Sequence, residues 1–201
     1  MSKPLHSITF PGLDEQYLVA PGGYGLGISD CININSGFKN ITKNGWWIST
    51  TDTPDGSWWR CLATVTNGGK DIVLDAWSLD GKYNAKLSKN GGDWGEWEWV
   101  NPPLGLDIEY RTTERFQSRP VYCKLIGFGS GPNNTTKSFA HGIENIYIVV
   151  EWSCHNINTG TNISQATNIV AVTIDRTNIN VTTSANESAW NMRFLVKYVK
   201  N

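Results

Sequence analysis

Five turn dipeptides recur at nearly even spacing through the first half of the chain. They lie 11, 12, 13 and 10 residues apart, at Asn44-Gly45, Asp55-Gly56, Asn67-Gly68, Asp80-Gly81 and Asn90-Gly91. Asn-Gly and Asp-Gly tolerate the positive φ angles of tight hairpin turns. The segment 58–66 between two of these turns alternates, with Trp59, Cys61 and Ala63 on one face. This pattern predicts an antiparallel β meander over residues 37–101.

Ten tryptophans stand in 201 residues, and eight of them lie between positions 46 and 99. We expect four to fill a small core, because buried aromatic rings supply much of the apolar area in small β domains. These four are Trp59, Trp77, Trp94 and Trp97. The adjacent pairs Trp46-Trp47 and Trp58-Trp59 are predicted to split across a strand, because neighbouring side chains point to opposite faces. One ring of each pair should then face solvent, another subunit or a ligand.

Residues 102–201 are predicted to form a second β domain. Pro102-Pro103 marks the boundary, since proline removes ladder donors and stiffens a link. About six alternating or extended segments follow with no helical period, which favours a jelly-roll-like β-sandwich. Two of these segments predict specific faces. In the first, Ile146, Ile148, Val150 and Trp152 should share one face of the strand. In the second, Met192, Phe194, Val196 and Tyr198 should share one face.

Composition and charge narrow the classes of function. Charged residues make up 17% of the chain, and the net charge is −1 with a pI near 6.3, which argues against nucleic acid as a partner. No apolar run reaches the length of a membrane span, and the first ten residues lack a signal-peptide core. The four cysteines, at 31, 61, 123 and 154, form no CxxC pattern. We therefore expect buried thiols, with no zinc site, disulfide framework or cofactor.

The sequence carries no pattern typical of catalysis. A glycosidase needs two carboxylates across a cleft, but Asp93, Glu96 and Glu98 surround a tryptophan-rich hairpin and are expected to face solvent. Cys154 and His155 are adjacent, so on a strand they point to opposite faces. His141 is expected to close a strand end through a hydrogen bond, with ligand binding as the alternative. A phosphate loop at residues 21–27 would need a following helix, and none is predicted there.

Residues 81–97 resemble a known module. Tyr83 and the pair Trp94-x-x-Trp97 match the "G-x-x-Y-x-R … W-x-x-W" pattern of the pyocin knob, a module on fibres of phages and contractile bacteriocins. Ala85 stands where that family usually has arginine, and Asp75 where it has glutamine. The resemblance identifies residues 37–101 as a pyocin-knob-like β domain. The glycine-rich residues 21–27 resemble the stretch that precedes knobs.

The last half of the chain resembles the C-terminal domains of phage tail-fibre and baseplate receptor-binding proteins. The matching motifs occur in order: TTERF, RPVYCK, PNNTTK, AHGI and the closing YVK. Ser118-Arg119 departs from the usual D-G-K, and Cys123 from arginine or lysine. The resemblance implies a fibre or baseplate tip on a virion, made in the host cytoplasm and assembled as a homotrimer. Residues 1–36 would connect the trimer and contact other tail or baseplate proteins.

The resemblance further implies a non-enzymatic receptor binder for a host surface polysaccharide or teichoic-acid-like glycan. Exposed aromatic rings and uncharged polar loop side chains suit sugar faces and hydroxyls. On that basis the candidate binding residues are Trp46, Trp58, Asn133, Asn134, Trp152, His155, Asn156 and Trp190. Two alternatives remain open: a small capsule or cell-wall depolymerase, and a bacterial carbohydrate-binding module.

Overall fold

The computed structural model describes residues 31–164 and 166–201. The chain divides into two units, one ending at Trp97 and the other spanning Glu98–Asn201. Regular structure in the described residues consists of strands and two short 3₁₀ turns, Phe38–Asn40 and Asn67–Gly69, which confirms the all-β prediction. No helix in the described part of the chain is long and apolar enough to cross a membrane. The first 30 residues of the predicted trimer-connecting segment lie outside the described residues.

The first unit is built on one sheet. Its strands are β1 Ile32–Asn33, β2 Gly45–Ser49, β3 Trp59–Thr66, β4 Asp71–Ser78, β5 Asn84–Asn90 and β6 Asp93–Trp94. From β2 to β6 each strand pairs antiparallel with the next, as the turn spacing predicts. Gly68, Gly81 and Gly91 have φ angles of 64°, 73° and 66°, which these tight turns require. The first turn prediction is wrong, because β1 pairs parallel with β2 and Gly45 begins β2.

One face of this sheet is the core of the first unit. Alternation along three neighbouring strands directs the small and branched side chains inward. The residues concerned are at most 2% exposed: Trp59, Cys61, Ala63, Ile72, Leu74, Ala76, Ala85 and Leu87, with Phe38 and Ile41 above them. Trp59 fills the core as predicted. The prediction for Trp77 is wrong, because Trp77 lies opposite Arg60 in the register and therefore points to the other face.

The second unit has two sheets. Its strands are β7 Glu98–Asn101, β8 Glu109–Phe116, β9 Arg119–Ser130, β10 Thr136–Ala140, β11 Ile146–Asn156, β12 Thr161–Asn162, β13 Ile169–Ile174, β14 Asn178–Thr183 and β15 Asn191–Lys200. One sheet has the order β7-β8-β9-β15-β11-β12 and the other β10-β14-β13. The β7–β8 pair is parallel. β7 thus belongs to this unit, whereas the predicted boundary followed Asn101.

The core of the second unit lies between these two sheets. Ile126 and Phe128 from β9 and Phe194 from β15 form part of one buried cluster with Ile179 and Val181 from β14. All four side chains predicted on the inner face of β15 are fully buried, namely Met192, Phe194, Val196 and Tyr198. The unit is therefore a β-sandwich with sheets of unequal size.

The face prediction for β11 is wrong. Register shifts occur between Ile146 and Ile148 and between Val149 and Glu151. Each bulge moves the following side chains to the other face, because the side-chain period of a strand is two. Ile146 is consequently buried, whereas Ile148 and Val150 are 39% and 38% exposed.

Candidate functional site

Eight side chains form one patch on the face of the first sheet that points away from its core. Because directly paired residues lie on the same side of a sheet, the register defines this set. We call it the outer face. It consists of Trp46 and Ile48 from β2, Arg60 and Leu62 from β3, Asp75 and Trp77 from β4, and Asn84 and Lys86 from β5.

The outer face contains an aromatic pair. The ring centroids of Trp46 and Trp77 are 5.6 Å apart with an interplanar angle of 34°. Both residues are half-buried, so part of each ring remains exposed. Charged groups lie on the same face, including the ion pair between Lys86 Nζ and Asp75 Oδ1 at 3.0 Å. The face thus combines an apolar platform with polar groups at its side.

Asn84 lies on the outer face directly opposite Trp77 in the register. Its Oδ1 atom is buried and has no hydrogen-bond partner; Trp47 Nε1 is the other such atom among the described residues. An unsatisfied buried acceptor costs about 1–3 kcal/mol, and because the protein encloses this oxygen, it is not exposed to a ligand on the outer face.

The other predicted tryptophans of the first unit have different positions. Trp58 is 46% exposed just before β3, while its neighbour Trp59 is buried, as the splitting of adjacent pairs predicts. Trp97 tilts against Phe38 at 6.3 Å, and its Nε1 donates to the carbonyl of Asp52 at 2.9 Å. Trp97 therefore anchors a loop to the core.

Four of the predicted binding residues meet at one end of the second unit, which we call the loop end. The Asn134 amide donates to the Ala185 carbonyl at 2.8 Å, and Asn133 forms an isolated bridge with Asn186. The Trp190 carbonyl accepts from the Gly131 amide at 3.0 Å. Asn133 and Asn134 are exposed and Trp190 is half-buried.

Asn156, the fourth of these residues, accepts hydrogen bonds from the backbone of the loop end. It is 4% exposed, and its Oδ1 accepts from the amides of Asn158 at 3.1 Å and Asn191 at 3.3 Å. These bonds tie the end of β11 to the start of β15. The side chain of Asn156 therefore stabilises the loops at this end of the unit.

Trp152 and His155 are directed to opposite faces of β11. Trp152 packs on the core side against Phe194, with ring centroids 6.0 Å apart. His155 lies opposite Arg193 on the other side of the sheet. The structure therefore does not bring these two side chains into one site.

His141 has the structural role that the sequence predicts. It is 2% exposed at the end of β10. Its Nδ1 accepts from the Ile143 amide at 3.0 Å, while Nε2 lies 3.2 Å from the Asp175 carbonyl. This pair of bonds fits a neutral ring with its proton on Nε2. Within the described ranges, no group of three or more His, Cys, Asp or Glu side chains is arranged to hold a metal ion.

The second unit also contains a pocket that sequence reasoning missed. It has a volume of about 190 Å³ and lies on the side of the large sheet away from the sandwich core. Its walls come from four separate segments of the chain. They are Trp99, Val100, Pro102 and Leu104, then Thr112, Thr113 and Glu114 of β8, Cys123 of β9, and Leu195 and Lys197 of β15. In the sequence, only Pro102-Pro103 and Trp99, one of ten tryptophans, indicated that this region is unusual.

The charged side chains in the wall of this pocket are Lys197 and Glu114. Lys197 Nζ is 2.8 Å from Glu114 Oε1 and 3.2 Å from Glu151 Oε2. The hydrogen bond to Glu114 raises the pKa of Lys197, which therefore stays charged. Burial raises the pKa of the Cys123 thiol to about 11, so this thiol is protonated at neutral pH. A neutral thiol is a poor nucleophile.

No protein-family model and no curated protein matches the chain. Among solved structures the chain is similar to an N-truncated R2-type pyocin tail fibre, at 7% identity over 84% of this chain and 96% of that one, with a TM-score of 0.29. It is also similar to the R2 pyocin fibre of P. aeruginosa, at 8% identity over 84% of this chain and 66% of that one, again with a TM-score of 0.29. Scores of this size do not establish a shared fold.

Proposed function

We propose that this chain is the distal, non-enzymatic part of a phage or prophage tail fibre, and that it attaches to a glycan on the host cell surface. Two stretches of sequence that resemble fibre proteins support the proposal, residues 81–97 and residues 112–143. The all-β construction of both units agrees with such a role. The fibre or baseplate tip of a virion is the corresponding location.

The observation that carries glycan binding is the half-buried Trp46–Trp77 pair, which shares the outer face with the Lys86–Asp75 ion pair. The C–H face of a pyranose ring is apolar and covers an indole well, while its hydroxyls are hydrogen-bond donors. One sugar ring can therefore stack on the exposed parts of the two indole rings. Asp75 and Lys86 supply polar partners on this face.

Attachment would be strengthened by a homotrimer, which we propose as the working assembly. The exposed strand β11 supports it: within the described residues, only His155 and Asn156 of this strand pair with β12. Tyr147, Ile148 and Val150 are 50%, 39% and 38% exposed along the rest of it. Exposed apolar side chains on an open strand favour contact with another copy. Three linked sites raise avidity without new contacts.

Binding to immobilised polysaccharide tests the proposed function. The probes are wall teichoic acids and capsular polysaccharides from a panel of bacteria, measured by biolayer interferometry. We expect at least one glycan to bind, and Trp46→Ala to weaken it by about tenfold or more, or about 1.4 kcal/mol, because the stacked ring is lost.

The matched control is Trp94→Ala. Trp94 is also half-buried in the first unit but lies on β6, beside Lys89, outside the outer face. It should retain wild-type affinity, with circular dichroism verifying that both variants are folded. If no polysaccharide binds the wild-type protein, the function is wrong. If the two variants bind equally, the outer face is not the site.

A further inference from the structure

We propose that the pocket of the second unit is a subsite for a single sugar ring, neutral or amino-substituted and not acidic. This inference rests on the proposed attachment to glycans and adds a second point of contact. The pocket is distinct from the loop end, and none of its wall residues is among the eight predicted binding residues.

The volume of the pocket sets the size of the ligand. A cavity of 190 Å³ holds about six water molecules at about 30 Å³ each. That is about the space of one hexose ring, so the open pocket can hold one ring of a glycan while neighbouring rings extend outside it. It also lies below the range of about 300–1,000 Å³ typical of pockets for larger organic ligands.

The walls offer the two kinds of surface that a pyranose needs. Trp99 is 8% exposed and meets Tyr110 edge-on with centroids 5.6 Å apart, so the indole is fixed in place. Val100, Pro102 and Leu104 extend this wall with apolar carbon. An apolar wall of this kind covers the C–H face of a sugar, and water is excluded from the contact.

The polar side of the pocket is formed by consecutive residues of β8. The Thr112 hydroxyl is already used, because it donates to the Val121 carbonyl at 2.8 Å and accepts from the Glu114 amide at 3.3 Å. Thr113 and the carboxylate of Glu114 also line the pocket. The side chain of Glu114 is 53% exposed, so its oxygens can accept hydrogen bonds from ligand hydroxyl or amino groups.

The charges around the pocket favour a neutral or cationic ligand. Lys197 is the cation in the wall, and two carboxylates, Glu114 and Glu151, already bind it. The nearby Arg111 and Arg115 both pair with the Glu98 carboxylate, at 3.0 Å and 2.7 Å. Because these cations are already paired while the carboxylate of Glu114 is exposed in the pocket, an acidic sugar would be repelled by Glu114, whereas the ammonium group of an amino sugar would be attracted to it.

Saturation-transfer NMR on the full chain tests this subsite, with methyl glucosaminide, methyl glucoside and methyl glucuronide as probes. We expect the first two to bind and the glucuronide to bind about tenfold more weakly or not at all. Val100→Trp fills the mouth of the pocket and should weaken methyl glucosaminide by about tenfold or more. The control is Val170→Trp. Val170 is a strand valine of the same unit that does not line the pocket. Its side chain is 63% exposed, compared with 49% for Val100.

The outcomes separate this subsite from the proposed function. The subsite is wrong if no methyl glycoside binds, or if the Val100→Trp and Val170→Trp variants bind the glycosides equally well. Polysaccharide binding through the outer face is tested separately and does not depend on this result. If the glucuronide binds as well as the glucosaminide, the inferred preference is wrong. If the glycosides bind in the pocket while no polysaccharide binds the protein, the subsite stands and the attachment function fails.

Discussion

At the scale of single residues, a glycine fixes the geometry of the loop end. Gly131 follows β9, and its amide donates to the Trp190 carbonyl at 3.0 Å. A Cβ atom at this position would lie 2.4 Å from the carbonyl oxygen of Glu187. That oxygen belongs to the backbone, so it cannot move aside as the end of a flexible side chain can. Close approach of two backbone segments, and not a turn, therefore requires glycine here.

We predict that Gly131→Ala lowers the free energy of unfolding by about 1–3 kcal/mol, because the added methyl forces the two segments apart. The control is Gly127→Ala in the same strand, whose Cβ would meet Leu106 at an ordinary 3.5 Å. Gly127→Ala should change stability by less than about 0.5 kcal/mol. Urea denaturation measures both. Equal effects of the two substitutions would contradict the steric explanation.

Alternation predicts which residues share a face, but not which face is buried. Along β4 the sequence separates Leu74 and Ala76 from Asp75 and Trp77. The pairing of Trp59 with Ser78 then places Trp77 on the outer face. Individual residue preferences do not predict a large apolar ring on the face away from the core, and the proposed glycan contact depends on this ring.

At the scale of elements, the hairpin β13–β14 shows how a turn is held by one carboxylate. Asp175 Oδ1 accepts from the amides of Thr177 and Asn178, both at 2.8 Å, and Oδ2 accepts from Asn180 Nδ2 at 3.1 Å. The two backbone hydrogen bonds lower the pKa of Asp175 to about 2. The turn connects β13, which ends at Ile174, to β14, which begins at Asn178.

We predict that Asp175→Ala lowers the thermal midpoint at neutral pH and that this deficit shrinks in acid. Because the folded-state pKa lies below the ordinary value of 3.8, the carboxylate stabilises the protein fully above about pH 4. That stabilisation is lost as the pH falls through about 2. Melting curves of both proteins between pH 7 and pH 2 measure the difference. A deficit that stays constant over this range would show that the charge does not hold the turn.

At the scale of the whole molecule, the proposed trimer determines how the chain would act as an attachment protein. Three copies around an axis make heterologous contacts that close into a ring. The bulges of β11 and the charge of Glu151 discourage continuous pairing of this strand with another strand. We therefore expect the contact to be made by the exposed side chains of β11, Ile148 among them.

Light scattering of the purified protein should give a mass of about 67 kDa, three times the 22.3 kDa of the chain. Ile148→Lys places a charge in the proposed contact and should shift the mass toward one chain. Val170→Lys, a lysine on the exposed strand β13, is the control and should remain trimeric. A wild-type mass of 22.3 kDa would rule out the trimer.

The sequence by itself determined the local parts of this protein. The period of two and the Asn-Gly and Asp-Gly turns predict the β2–β6 meander, and the buried face of β15 follows from the same period. The turns and the alternation within a strand both involve residues only a few positions apart, so the sequence pattern predicts them. Of the candidate binding residues, Trp58, Asn133 and Asn134 are exposed in the structure, and their role in binding stays a prediction.

Only the tertiary structure decided the contacts between distant segments. The parallel pairing of β1, the bulges of β11, the Trp46–Trp77 pair and the pocket beside Pro102 all depend on register across strands. A shift of one residue reverses every face, and alternation within a strand does not reveal its partner's register. The positions of strands depend on residues close together in the sequence and can therefore be predicted from it. The surfaces proposed to bind sugars are formed by pairing between distant segments.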